Sequence, residues 1–128
     1  FAKDLFPLLM KEEVELIAGY AQGYWRDVGN PDSYREVHED IMSGRVDFKM
    51  PGEVTKYPDG ELYSSKPYDL DESVEIIGKV VLGDNVTIGK RAKLKNLVVS
   101  DNGEIGEDSK ISNSVIWENV SIGKGTKI

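Results

Sequence analysis

The chain has 128 residues, a formal charge of −7, 30% charged and 39% hydrophobic residues, a balance that suits a soluble globular protein. It has neither the basic stripe that nucleic acid requires nor a Lys/Arg-rich amphipathic face for a membrane surface, and no apolar run approaches the ~20 residues of a membrane span. Cysteine is absent, which excludes disulfides and thiolate metal sites and fits the cytoplasmic location we expect.

In chain order, Asp4–Met10 reads as a short helical turn. Val14–Tyr20 and Gly23–Trp25, rich in apolar and aromatic residues, read as strand. A turn over Asp27–Asn30 leads into a helix with a defined start. Asn30 is placed to cap it, Pro31 suits its first position, and Asp32 complements the dipole. Tyr34, Val37 and Ile41 fall at helical spacing, and Gly44 marks the stop. This stretch is too short to bury its own aromatics, so partner structure before Phe1 is expected. Residues 47–69 are a connector punctuated by Pro51-Gly52, Pro58-Asp59-Gly60 and Ser64-Ser65-Lys66-Pro67. Its apolar residues Val54, Tyr57, Leu62 and Tyr63 suit either packing on the first coil of the C-terminal half or forming an imperfect coil themselves.

From Leu70 an apolar residue returns every sixth position: Leu70, Ile76, Leu82, Ile88, Leu94. A second series runs four residues behind: Val74, Val80, Val86, Ala92, Val98. No helix or simple amphipathic strand keeps that period, whereas short β-segments joined by regular turns do. A longer period of 17 is superimposed. It aligns Ile88, Ile105 and Ile122; Leu94, Ile111 and Ile128; Leu82, Val99 and Ile116; and the glycines Gly89, Gly106 and Gly123. Polar columns join in at Lys93, Lys110 and Lys127, at Asn96 and Asn113, and at Asn102 and Asn119. Seventeen residues therefore make one three-sided coil with one side a residue short. Stacking such coils buries a continuous aliphatic core. Residues 70–128 should form about three of them, with the column glycines supplying positive φ at the corners. Ile128 falls inside a repeat and Phe1 is no initiator, so both ends read as cut.

These residues resemble known proteins. The segment Leu70–Ile128 is similar to the hexapeptide-repeat left-handed parallel β-helix. Phe1-Ala2-Lys3-Asp4-Leu5-Phe6-Pro7 resembles an F-x-K-D-x-F-P motif, and Gly23–Tyr34 resembles G-[YF]-W-x-D-[IV]-G-x-P-x-x-Y. Both motifs, followed by such a tail, are found in that order in sugar-1-phosphate nucleotidyltransferases, with the mannose-1-phosphate guanylyltransferases as the most similar branch. Asn30 stands where many relatives have Thr. The resemblance implies a mixed fold: residues 1–46 as the C-terminal end of an α/β nucleotidyltransferase domain, 47–69 as connector, and 70–128 as an incomplete left-handed β-helix. It implies a reaction of a nucleoside triphosphate with a sugar 1-phosphate, giving a nucleotide-sugar such as GDP-mannose and pyrophosphate. Mg²⁺ is the implied cofactor, with Asp27 as a metal ligand and Gly29 beside the substrate. No catalytic residue proper maps onto the chain, because the nucleotide loop, sugar-phosphate lysine and second carboxylate would precede Phe1. The chain by itself is expected to be inactive, and its β-helix to serve stability, regulation or a homo-oligomer.

Turn chemistry alone would make Asp27 a capping or turn residue; the surrounding motif makes it a ligand. Tyr24 and Trp25 read as packing residues, Arg26 as solvent-facing or salt-bridged, Lys3 as a surface residue, and His38 as a surface or capping histidine. Glu36, Glu39 and Asp40 read as a solvated face, and Trp117 as either an interface aromatic or ordinary surface packing. Two other functions share the coil pattern. A hexapeptide acyltransferase needs a His base in or near the coils, and residues 70–128 contain none. A non-catalytic assembly subunit would keep the fold without the chemistry.

Overall fold

A computed structural model describes residues 1–128. After helix α1 (Leu5–Lys11) and helix α2 (Pro31–Met42), every regular element is a strand. An antiparallel hairpin, β1 (Glu53–Tyr57) and β2 (Asp59–Ser64), opens the series. Long strands β3 (Glu75–Leu82), β5 (Lys93–Val99) and β7 (Lys110–Ile116) then alternate with two-residue strands β4 (Thr87–Ile88), β6 (Glu104–Ile105) and β8 (Ser121–Ile122).

Strands β2, β3, β5 and β7 stack parallel, with β1 antiparallel on the outer edge of β2, in the order β1-β2-β3-β5-β7, and the short strands stack parallel in the order β4-β6-β8. Each long strand bends once and so supplies two sides of a triangular coil; the short strand supplies the third. The result is a parallel β-solenoid of hexapeptide-repeat type, in which each backbone ladder is completed by the coil above and below. Ile88 pairs with Ile105 and Ile105 with Ile122, as the 17-residue period requires. Leu82, Val99 and Ile116 form a second column, and Leu94 stands over Ile111 in a third. The alternatives for the connector are resolved by β2, which pairs parallel with β3 from Asp59↔Ile77 to Ser64↔Leu82. It forms a further coil side and brings Leu62 into the core.

The inward series departs from strict period six at one point. Val98 is half-exposed, while Leu97 and Val99 are buried. The pairing explains why: Ile77 faces Lys95, 18 residues on, but Val80 faces Leu97, 17 on. One residue is lost at the first corner, where Gly78-Lys79 is succeeded by a single Asn96. From there the alternation changes phase, and Val98 and Val115 turn outward.

The glycine column also acts differently from expectation. Gly89, Gly106 and Gly123 are absent from the positive-φ residues. Gly89 and Gly106 sit where successive backbones nearly touch: a Cβ on Gly106 would lie 2.6 Å from Lys124 N, and one on Gly89 would collide with Glu107 N, whereas Gly123, on the last coil, meets only Thr126 Oγ1 at 3.9 Å. Left-handed backbone falls instead on three corner columns: Gly78, Asn96, Asn113; Asn85, Asn102, Asn119; and Arg91, Asp108, Gly125. Asn tolerates this conformation because its short amide satisfies local polar groups. Here the amides also stack. Asn85 Nδ2 donates to Asn102 Oδ1 at 3.3 Å, Asn102 Nδ2 to Asn119 Oδ1 at 3.1 Å, and Asn96 Nδ2 to Asn113 Oδ1 at 3.3 Å.

Residues 1–46 are built differently. Helix α2 starts as the sequence requires: Asn30 Oδ1 accepts from Ser33 N at 2.8 Å, Ser33 Oγ reciprocates toward Asn30 N, and Pro31 opens the first turn. It ends in a Schellman motif, with Gly44 at φ +79°, Gly44 N–H bonded to Ile41 O and Arg45 N–H to Asp40 O. The strands expected over Val14–Tyr20 and Gly23–Trp25 do not form; the chain between the helices has no regular structure. Apolar composition alone does not make a strand. A partner edge is required, and the solenoid's own edge is taken by β1. Ile17 at 88%, Tyr20 at 104% and Trp25 at 81% accordingly remain exposed.

Candidate functional site

The residues singled out by the motif lie on the segment that enters α2. Tyr24 and Arg26 share one side of it, as residues two apart do in an extended chain, and both reach the helix. Tyr24 Oη donates to Asp40 Oδ2 at 2.7 Å, and Arg26 Nε donates to Tyr24 Oη at 3.2 Å. The Arg26 guanidinium also pairs with Glu36 and, at 3.2 Å, with Asp40. From the far end of α2, Arg45 meets Asp40 at 2.8 Å. Asp40 is the one charged residue of the molecule that is fully buried, which corrects the expectation of a solvated face for it. Glu36 is likewise engaged rather than free. The Tyr24 hydrogen bond holds the Asp40 carboxyl below the usual range; burial works against this, and the Arg45 and Arg26 charges support it. The same hydrogen bond raises the Tyr24 phenol.

Trp25 and Asp27, on the alternate positions, are exposed. Gly29 lies in open space, where an added Cβ would meet nothing within 4 Å. Asp27 is the only carboxylate between Glu15 and Asp32, and no three His, Cys, Asp or Glu side chains converge anywhere in the molecule. A single carboxylate fits a Mg²⁺ ion that takes its other oxygens from phosphate and water. It does not make an all-protein cage.

Helix α2 packs against β7 and so ties this segment to the coils. Tyr34 meets His38 with ring centroids 4.5 Å apart and Trp117 edge-on at 6.1 Å. Trp117, 63% exposed, therefore packs on the helix of its own chain. His38 Nδ1–H donates to Tyr34 O at 2.9 Å, a structural role. Below α2, a cavity of about 130 Å³ lies between Arg35, His38 and Met42 of the helix region and Asn96, Val98 and Val115 of the coils. The outward turn of Val98 and Val115 provides the apolar seat. Sequence reasoning missed Asp40 as an anchor. The available signal was two donors, Tyr24 and Arg26, spaced two apart just upstream of an acidic helix.

With the geometry in view, the class is a hexapeptide-repeat β-helix approached by a capped helix and a motif-bearing segment. Residues 72–128 match the family described as GlmU-like, C-terminal hexapeptide. The similar proteins are sugar-1-phosphate nucleotidyltransferases. One is the "Putative mannose-1-phosphate guanyltransferase" of Sulfolobus acidocaldarius, 24% identical over 97 residues, or 76% of this chain and 23% of that protein. Another is the glucose-1-phosphate adenylyltransferase of Bacillus subtilis, 38% identical over 50 residues, 39% of this chain and 13% of that protein. The same enzyme of Bacillus cytotoxicus is 48% identical over 42 residues, 33% of this chain and 11% of that protein. The chain thus spans less than a quarter of the length of these relatives. No solved structure matches it. No helix is long and apolar enough to cross a membrane.

Proposed function

We propose that the chain forms the junction between catalytic domain and β-helix in a sugar-1-phosphate nucleotidyltransferase. In this reading residues 1–46 close the catalytic domain, 47–69 connect and, through β2, supply the first coil side, and 70–128 form the rest of the β-helix. One observation carries it. The likeness to the Sulfolobus protein covers 97 residues, whereas the coil family accounts for only 72–128, or 57 residues. The likeness therefore extends into the motif-bearing part. The parent protein would join a nucleoside triphosphate to a sugar 1-phosphate and release pyrophosphate. The motif of Gly23–Tyr34 favours GTP and mannose 1-phosphate, giving GDP-mannose; the adenylyltransferases among the relatives make ATP and glucose 1-phosphate the alternative pair.

Asp27 is assigned as a Mg²⁺ ligand, with Gly29 leaving room for substrate beside it. Mg²⁺ bound there would neutralise phosphate charge as the sugar phosphate attacks the α-phosphorus. Asp27 offers one oxygen donor on the exposed side of the segment, while Tyr24 and Arg26 hold the other side to α2. The β-helix is assigned to homo-oligomer contacts, since coil sides and ends can pair with a copy of themselves.

The test is pyrophosphate release by the full-length parent with each substrate pair. GTP with mannose 1-phosphate should be turned over faster, and Asp27→Asn should lower turnover about 10²-fold or more. Near-normal turnover of Asp27→Asn at limiting Mg²⁺ would remove Asp27 from the site. Preference for ATP with glucose 1-phosphate would reassign the product. Light scattering at micromolar concentration should show more than one subunit, and a strict monomer would end the assembly assignment.

A further inference from the structure

The segment bearing Asp27 has no regular backbone hydrogen bonding, yet it is fastened at both ends to one helix. Upstream, Tyr24 and Arg26 reach buried Asp40, and Arg26 also pairs with Glu36. Downstream, Asn30 is locked into the α2 capping box through Ser33. Only Asp27, Val28 and Gly29 lie between the two fastenings. Gly29 has open space around it, and Val28 is 49% exposed, so packing contributes little to holding this span. Its position depends on its two ends. The upstream end depends on Asp40, a single acceptor on which a phenol and two guanidinium groups converge.

We infer that Asp40 is the positioning residue for Asp27: its buried carboxylate fixes Tyr24 and Arg26, and through them the reach of the Asp27 carboxylate toward the metal. This rests on the reading of Asp27 as a Mg²⁺ ligand. Outer partners of this kind commonly set the affinity of a site without touching the ion. Arg45 completes the arrangement from the helix end, so that Asp40 remains charge-balanced when α2 and the segment are docked.

The experiment uses the full-length parent with Asp40→Asn, which keeps size and removes charge, and Tyr24→Phe, which removes one donor and leaves the Asp40–Arg pairs. Two quantities are read. Without metal, backbone amide order parameters over residues 24–29 should fall toward the flexible range, below about 0.6, in both variants. In turnover, the Mg²⁺ concentration giving half-maximal rate should rise about 10-fold or more, while the rate at saturating Mg²⁺ falls far less than in Asp27→Asn. A merely structural Asp40 would lower stability and maximal rate together and leave the Mg²⁺ dependence unmoved. Unchanged order parameters over 24–29 in both variants overturn the inference alone. A normal Mg²⁺ dependence in Asp27→Asn overturns the metal reading and with it the purpose assigned to Asp40. Should Asp40→Asn fail to fold, Tyr24→Phe decides by the same two readings.

Discussion

Residues 59–128 hold every buried apolar side chain of the molecule, from Leu62 to Ile122, whereas residues 1–46 hold a single buried residue, the charged Asp40. In the solenoid each coil finishes the backbone ladder and the aliphatic columns of its neighbour, so order is repeated from coil to coil. In the first third of the chain, order comes from singular polar events: one capping box, a Schellman motif at the end of each helix, and one carboxylate with three donors. A repeat distributes its stability over many equivalent contacts. A latch concentrates it in few, which suits a segment whose task is to place one carboxylate.

The largest effect should come from a charge inside the columns. Ile105, 2% exposed between Ile88 and Ile122, has no polar partner for an introduced carboxylate. Ile105→Asp should cost about 3–5 kcal/mol, seen as a lower denaturant midpoint by circular dichroism. A midpoint within error of wild type would show that the columns do not carry the stability.

Next is the close approach of coils. Gly106→Ala should destabilise by about 1–3 kcal/mol, because its Cβ would press on the Lys124 backbone at 2.6 Å. Gly29→Ala, with nothing nearby, should alter thermal unfolding by less than ~0.5 kcal/mol. Equal effects of the two would erase the distinction between the regions.

The Asn corners come third. Asn102→Ala loses its ladder bonds and places a Cβ residue without a local amide at φ +56°, a loss of about 1–2 kcal/mol. Asn102→Gly keeps the backbone freedom and should recover part of it. If Gly were the worse of the two, the amide stack and not the conformation would be the main contribution.

The smallest effect is electrostatic. Arg91 binds Asp108 through Nε at 2.6 Å and Nη2 at 3.0 Å; this hydrogen bonding, opposed by desolvation and aided by the Arg91 and Lys124 charges, lowers the Asp108 pKa. A depressed folded-state pKa adds stability above the unfolded value of ~3.9, and that contribution is lost as pH falls through the folded value. Asp108→Asn should therefore melt slightly below wild type at pH 7, with the difference closing below about pH 4. A gap that widened in acid would contradict the assigned sign.

The coils were legible because their physics is periodic: Ile88, Ile105 and Ile122 announce the column, and the pairing places them in it. The phase change at Asn96 was foreshadowed by a period of 17 in place of 18, but assigning it to one corner required knowing which backbone carries positive φ. The Asn columns at 96, 113, 102 and 119 were visible as polar repeats. Their conformational role was given to Gly89, Gly106 and Gly123, since glycine serves equally for torsion or for tight packing and sequence does not separate the two. The α2 boundaries were readable from Asn30, Pro31 and Gly44, whose signals are local. The strand expected at Val14–Tyr20 failed because its partner is non-local. Asp40 was overlooked for the same reason, its partners Tyr24 and Arg26 being 16 and 14 residues away.

The single-residue Asn96 corner also fixes how the length of this solenoid can change. Beyond it, the paired registers are 17 residues apart, from Leu97↔Ser114 to Ile105↔Ile122. Insertion or deletion of one such block leaves every surviving column in phase and merely makes the prism taller or shorter. Adding a single hexad instead rotates everything downstream by one face of the prism. The apolar ledge of Val98 and Val115 would then no longer form one continuous side beneath α2. The length of the coiled part is thus quantised by the geometry of its corners, and α2 rests on a side that only whole coils preserve.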